Sequence, residues 1–280
     1  MNYQLGLIGF PIKHSLSPWI HDNFLKRSQL NGNYSLLEIN PHDSFSNAMT
    51  QLKKQNLNGF NVTVPFKEKI IPYIDELDEL AERVGAVNTV LCKQGKWIGY
   101  NTDGIGYIRS LLDYYPEIKA MKNIQIMILG AGGAAKGIFN ALIKSGFSHI
   151  TIANRTIEKA NEIISNNLSA TNSRAISLKT AEEEIEQFDV IIQTSTVGMK
   201  PNVDKQIISL NKLKADAVVS DIVYQPLMTT FLAQAKRLGA NIHFGHTMLL
   251  YQALNAFEIW TKETVDITDM ELKLKQILEG

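Results

Sequence analysis

The sequence predicts an α/β protein of two α/β domains around a cleft, the second built on a doubly wound parallel sheet. Three observations predict it. Strand-like and helix-like stretches take turns along most of the chain, as βαβ units do. The stretch IQIMILGAGGAAKGIFNALIKSG, residues 124–146, runs an almost wholly apolar strand into a glycine cluster and a helix, and the pattern restarts there. Strands apolar on every residue are those buried on both faces, as in parallel sheets. No repeat, low-complexity tract or long flexible linker interrupts the chain, so two units joined by structured segments, with a crevice between them for a ligand, are expected.

In order, residues 3–10 predict a strand, and SLSPWIHDNFLKRSQL a helix to about Gln29, with Ser17 as its N-cap and Pro18 at its first position. YSLLEIN predicts a strand, HDSFSNAMTQLKKQ a helix, residues 60–64 a strand, and DELAERVG a helix ended by Gly85. NTVLCKQGKWIGYN predicts two short strands around a turn at Gln94 and Gly95, and GIGYIRSLLDYY a helix closed by Pro116. After the glycine cluster, strands are expected at 149–153, 174–178, 189–194 and 217–222. HTMLLYQALNAFEIW is apolar nearly all round, with Gln252, Asn255 and Glu258 as its strongly polar interior positions, and predicts a helix buried on more than one side.

Composition narrows the function. Of 280 residues, 45% are hydrophobic and 20% charged, an ordinary globular balance, and 28 basic residues face 28 acidic ones. Without a bulk basic field a nucleic-acid partner is not expected. The single cysteine, Cys92, excludes an internal disulfide and fits a reducing compartment. With no charged leader before the first apolar run and no uninterrupted span of membrane length, a cytoplasmic protein with no membrane partner is expected. The histidines lack the helix-spaced pair with glutamate of a zinc hydrolase; His243 and His246 cross a strand-to-helix loop and are taken as structural, so no metal is expected. Ser15 and Ser195 lack the elbow glycines of a nucleophilic serine.

ILGAGGAAKG places Gly130, Gly132 and Ala135 at the dinucleotide-fingerprint spacing, between a strand and a helix, and predicts a Rossmann-type site. Gly130 permits the tight turn, Gly132 lets backbone approach a pyrophosphate, and Ala135 lets the helix pack closely. Gly130, Ala131, Gly132, Gly133 and Ala134 form the expected cradle, with the anion on the helix N-terminus. At the end of the next strand, where an NAD site places an acid, the chain has Asn154, Arg155 and Thr156, with Lys159 beyond. Arg155 can pair with a 2′-phosphate, helped by Lys159 and Thr156, so the expected cofactor is NADP.

GFPIKHSLSPWIHD, NVTVPFK, GAVNT, NTDGIG, GAGGAA, NRT and GHTMLLYQA follow one another in an order and spacing that resembles the shikimate dehydrogenase family from end to end. The resemblance implies reversible, NADPH-dependent reduction of 3-dehydroshikimate to shikimate, a small-molecule substrate, in the shikimate pathway of chorismate and aromatic amino-acid biosynthesis, by a monomer or homodimer. It also gives meaning to GFNVTVPFKEKI, residues 59–70, where a strand alternating Asn61 and Thr63 against Val62 and Val64 runs into Pro65 and then Lys67. The strand end would deliver Asn61, Thr63 and Lys67 to the substrate ring, Lys67 giving a proton to the developing alkoxide. The resemblance makes Asp103 the second catalytic residue, although a helix N-cap is its plain alternative.

Ser15 and Ser17 match carboxylate-binding serines of the family, Asn88 a ring-hydroxyl contact, Gln252 a substrate contact, Tyr224 a tyrosine near the substrate carboxylate, and Ile222 and Gly245 positions beside the nicotinamide. One departure falls on the cofactor side: QTSTVGM carries Gln193 where the family has asparagine. By this reading, residues 1–103, completed by C-terminal helices of 241–280, form the substrate-binding and catalytic domain, and 104–240 the NADP-binding domain, with closure on substrate expected. The alternative is a binding regulator that kept the fold and lost turnover; retention of Lys67 and Asp103 argues against it.

Overall fold

In the computed structural model, which describes residues 2–121, 123–167, 169 and 172–280, the chain divides into two units. The first comprises Met1–Thr102 and Gln252–Asp266, the second Asp103–Tyr251 and Ile267–Gly280.

The first unit carries β1 (Asn2–Gly9), α1 (Ser17–Arg27), β2 (Asn31–Glu38), α2 (Phe45–Lys54), β3 (Gly59–Val62), β4 (Glu76–Leu77), α3 (Glu79–Val84), β5 (Thr89–Lys93) and β6 (Lys96–Tyr100). Its six-stranded sheet has the order β2-β1-β3-β5-β6-β4, parallel from β2 to β3 and antiparallel at β3–β5 and β5–β6. Caps explain several boundaries. Ser44 accepts from the Asn47 N–H to start α2, and Asp78 from the Ala81 N–H at 2.9 Å to start α3, which ends on Gly85 with φ 69°. Positive φ at Gln94 and Gly95 makes the two-residue turn between β5 and β6.

On one side of this sheet Phe60, Val62, Val90 and Trp97 pack with Met49, Leu52, Phe66 and Ile70. Fully burying one such side chain stabilises by about 1.5–3 kcal/mol. Strand alternation turns Asn61 the other way, toward Tyr34. Gly59 is fixed by close approach: a Cβ there would lie 2.2 Å from Trp260 Nε1, which donates to Val90 O at 2.9 Å.

In the second unit lie α4 (Asp103–Tyr114), β7 (Ile126–Leu129), α5 (Gly133–Lys144), β8 (Ile150–Ala153), α6 (Ile157–Ser165), β9 (Arg174–Ile176), α7 (Leu178–Glu183), β10 (Val190–Gln193), β11 (Val218–Asp221), α8 (Thr230–Arg237) and β12 (Asn241–Phe244). The long helix α9 (Gly245–Thr261) begins in this unit and ends in the first, and α10 (Thr268–Glu279) belongs to the second. The sheet is wholly parallel in the order β12-β11-β10-β7-β8-β9, the doubly wound Rossmann-type order, reversing between β7 and β10. Its apolar strands serve two cores. Ile126 and Ile128 pack with Ile138 and Phe139 of α5, while Met127 and Leu129 pack with Phe188, Val219 and Phe231. Helices α4 and α5 meet backbone to backbone, since a Cβ on Gly104 would lie 2.1 Å from Gly137 O.

Three differences from the sequence reading have local causes. Ser17 is the first residue of α1 rather than its N-cap; Leu16 takes that place without a side-chain bond. β3 ends at Val62, and Val64, expected to share its face, is 67% exposed beside Pro65. Residues 241–251 and 267–280 group with the second unit, not the first, because β12 pairs with β11 and the side chains of His246 and Glu271 approach to 3.6 Å.

Candidate active site

In the first unit, a buried network of amides and hydroxyls gathers around Asn88, which is 2% exposed. Its Oδ1 accepts from the Thr102 N–H at 2.8 Å and the Thr89 hydroxyl at 3.0 Å, and its Nδ2 donates to Thr102 Oγ1 at 2.9 Å. Gln252 Oε1 lies 3.5 Å from the same nitrogen, bringing the polar residue of an apolar helix to the cluster. Asn61 donates to Asn88 O and Thr89 Oγ1 and accepts from the Tyr34 hydroxyl at 2.7 Å. Thr63 and Lys67 follow on the turn that leaves β3: the Thr63 N–H donates to Ile8 O, and Lys67 O accepts from the Val87 N–H at 2.8 Å. Both are half-buried. Gly9 admits Thr63, because a Cβ there would lie 2.3 Å from Thr63 Cγ2. Ser15 and Ser17 sit at the entry to α1 with their hydroxyls 3.2 Å apart.

Burial governs the titration of the groups behind this network. His21, stacked on Tyr34 at 4.4 Å, is pushed down to about 3 by burial, against a smaller opposing effect of Asn61, so its ring is neutral. The Tyr34 phenol is raised by burial and stays protonated, able to donate to Asn61.

Asp103 opens the second unit as the first residue of α4, directly after Thr102. The glycine turn is built as its spacing predicted. Gly130, with φ 115°, turns the chain out of β7, and a Cβ on it would lie 2.8 Å from Thr194 Oγ1. Gly132 holds the N-cap position of α5 with no side-chain bond, and a Cβ on Gly132 or Gly133 would meet nothing within 4 Å. Ala131 and Ala134 are half-buried beside them, and Ala135 is fully buried under the helix. This open cradle at a helix N-terminus fits a pyrophosphate. Arg155, Thr156 and Lys159 are exposed at the end of β8 and the start of α6, where Asn154 Nδ2 donates to Thr156 O at 2.8 Å. Ile222 and Tyr224 follow β11, and Gly245 lies against Ile222: a Cβ on it would be 2.4 Å from Ile222 O. Among the described residues, no group of three or more His, Cys, Asp or Glu could hold a metal, and no helix is long and apolar enough to cross a membrane.

A profile of the shikimate dehydrogenase substrate binding domain matches residues 7–90, one of shikimate/quinate 5-dehydrogenase residues 116–224, and one of the shikimate 5′-dehydrogenase C-terminal domain residues 245–271. The chain belongs to the shikimate dehydrogenase family. The shikimate dehydrogenase (NADP(+)) of Oceanobacillus iheyensis is 56% identical over 280 residues, covering 100% of both chains. A crystal structure of a shikimate dehydrogenase in complex with NADP+ has a TM-score of 0.89 at 37% identity, covering 99% of this chain and 96% of that one. The Thermus thermophilus enzyme, solved in complex with NADP(H) and shikimate, has a TM-score of 0.85 at 28% identity, covering 98% and 99%.

Several residues that build this shikimate dehydrogenase fold around its site were not singled out from the sequence. Tyr34, His21, Thr89 and Thr102 support Asn61 and Asn88, and each is an ordinary polar or aromatic residue until the sheet brings it there. Asp221 did carry a signal, as a lone acid at the end of an apolar strand. It is fully buried, and accepts from the Val223 N–H and the hydroxyl of Thr229, which caps α8.

Proposed function

We propose that the protein catalyses the reversible, NADPH-dependent reduction of 3-dehydroshikimate to shikimate, in the cytoplasm, as a step of the shikimate pathway of chorismate and aromatic amino-acid biosynthesis. The observation that carries the reading is the Asn88 network, an array of amides and hydroxyls suited to a hydroxylated ring, in a chain that matches the family over its whole length.

NADPH, when bound, supplies the hydride. The glycine turn of Gly130, Ala131, Gly132, Gly133 and Ala134 holds the pyrophosphate on the N-terminus of α5. Arg155 takes the 2′-phosphate with Asn154, Thr156 and Lys159, and Ile222 and Gly245 line the nicotinamide. Lys67, as an ammonium, donates a proton to the substrate oxygen as the carbonyl becomes an alcohol, and in reverse the amine accepts it. Asp103 accepts a hydrogen bond from a substrate hydroxyl. Asn88 and Gln252 orient the ring, with Asn61 and Thr63 beside them, and Ser15, Ser17 and Tyr224 receive the carboxylate.

Absorbance of the reduced nicotinamide, followed with shikimate or quinate and with NADP+ or NAD+, tests the reading. Turnover of shikimate with NADP+ is expected, with lower efficiency for the other pairs. Binding of shikimate and NADP+ without turnover would contradict it in favour of a regulator, and a higher efficiency with NAD+ would overturn the role of Arg155.

A further inference from the structure

Gln193, the residue that departs from the family's asparagine, is the last of β10 and is 1% exposed. Its side chain is fully engaged. Nε2 donates to Asp221 Oδ1 at 3.1 Å and to Val197 O at 3.0 Å, and Oε1 accepts from the Ser195 N–H. The main chain adds a further link, because the Ile222 N–H donates to Gln193 O at 3.1 Å. One residue thus ties the loop after β10 to the carboxylate that ends β11.

That carboxylate organises the next segment. Asp221 Oδ1 also accepts from the Val223 N–H at 2.9 Å, and Oδ2 from the Thr229 hydroxyl at 2.7 Å, so the run from Ile222 to Thr229 is held at both ends. Ile222 and Tyr224 lie within it. On its other side the β10 loop reaches the glycine turn, where Thr194 Oγ1 donates to Leu129 O at 2.8 Å. An asparagine at 193 would be shorter by one methylene, about 1.5 Å, and its amide would fall outside hydrogen-bonding reach of Asp221 from the same backbone.

We propose that Gln193 is a positioning residue for the nicotinamide half of the cofactor: by latching the β10 loop to Asp221 it fixes the segment bearing Ile222 and Tyr224, and it leaves the adenosine half unaffected. The inference rests on the NADP reading above and concerns how this chain, with its own residue at 193, holds that cofactor. Burial of Asp221 supports it. The carboxyl is raised to about 6, desolvation outweighing its three hydrogen bonds, so near neutral pH it is an anion that depends on its donors. Tyr107 of α4, raised by burial and to a lesser extent by the charge of Asp221, and His243 of β12, bonded to Ser220 and lowered by burial to about 3, are both neutral.

The test is isothermal titration calorimetry of NADP+ and of adenosine 2′,5′-bisphosphate, which carries the adenosine half alone, with wild type, Gln193→Leu and Gln193→Glu. Gln193→Leu is expected to weaken NADP+ by about tenfold, the effect of losing hydrogen bonds to a buried charged group, and the bisphosphate by less than about twofold. Gln193→Glu keeps the shape but opposes two carboxylates. Its NADP+ affinity relative to wild type at the same pH should recover as pH falls from about 8 to about 6, when a shared proton replaces the lost N–H, while its bisphosphate affinity relative to wild type stays level. Equal weakening of both ligands, or of neither, would overturn the inference. A wild-type protein that binds neither ligand would overturn the functional reading and the inference together.

Discussion

Replacing Asn88 by alanine tests how the first-unit network is held together. The substitution removes the acceptor of the Thr102 N–H and of the Thr89 hydroxyl, and both threonines are buried, at 2% and 0% exposure. Thr89 can turn to Thr102 Oγ1, 3.3 Å away, while the Thr102 N–H loses the acceptor it has in Asn88 Oδ1. One orphaned buried donor costs about 1–3 kcal/mol, and the lost bonds bring the total to about 2–4 kcal/mol. The three tryptophans, Trp19, Trp97 and Trp260, all lie in the first unit, so their fluorescence reports its unfolding alone. With a urea slope of about 2 kcal/mol/M, the midpoint should fall by about 1–2 M. Activity should fall as well, because Thr102 leads directly into Asp103. An unchanged midpoint would refute the reasoning that Asn88 is the hub of the network.

Two further substitutions probe the scaffold. Gly104→Ala forces a Cβ to within 2.1 Å of the Gly137 carbonyl, a backbone contact that only separation of α4 and α5 can relieve. Calorimetry should show Tm lowered by about 4–8 °C, for an overpacking cost of about 2 kcal/mol, and an unchanged Tm would contradict the close helix contact. His21 supplies a pH dependence. Its pKa is lowered to about 3 in the fold, so the unfolded chain binds the extra proton below about 6.5; stability is full above that pH and is lost as pH falls. At pH 5 the loss is about 2 kcal/mol, readable as a lower urea midpoint by tryptophan fluorescence, and His21→Phe should remove most of that difference.

Much of this was legible in the residues because it depends on local chemistry. The apolar run at 126–129, the positive-φ glycine after it and the small residues under α5 each express a backbone or packing requirement that the sequence states directly. Gln252 stood out as a polar residue on an apolar helix, and Asn88, just before β5, supplies a partner. What was not legible depends on distant pairing. β4 has two residues, too few to show a period, and β12 has an irregular burial pattern, so its place beside β11, and the grouping of the tail with it, came only from strand order. Tyr34 and Asn61 are far apart in the chain and meet only because β2 and β3 flank β1 on its two sides. Gln193 read as a departure in cofactor contact; in the fold it is a buried tie between two loops.

The most direct test of the proposed chemistry is Lys67→Met, with kcat for shikimate oxidation by NADP+ measured beside shikimate affinity by calorimetry. Positioned proton transfer contributes typically about 10²–10⁴-fold, so kcat should fall by that order while the dissociation constant for shikimate changes by less than about tenfold. A folded Lys67→Met protein with near-normal turnover would contradict the account by removing Lys67 as the proton carrier.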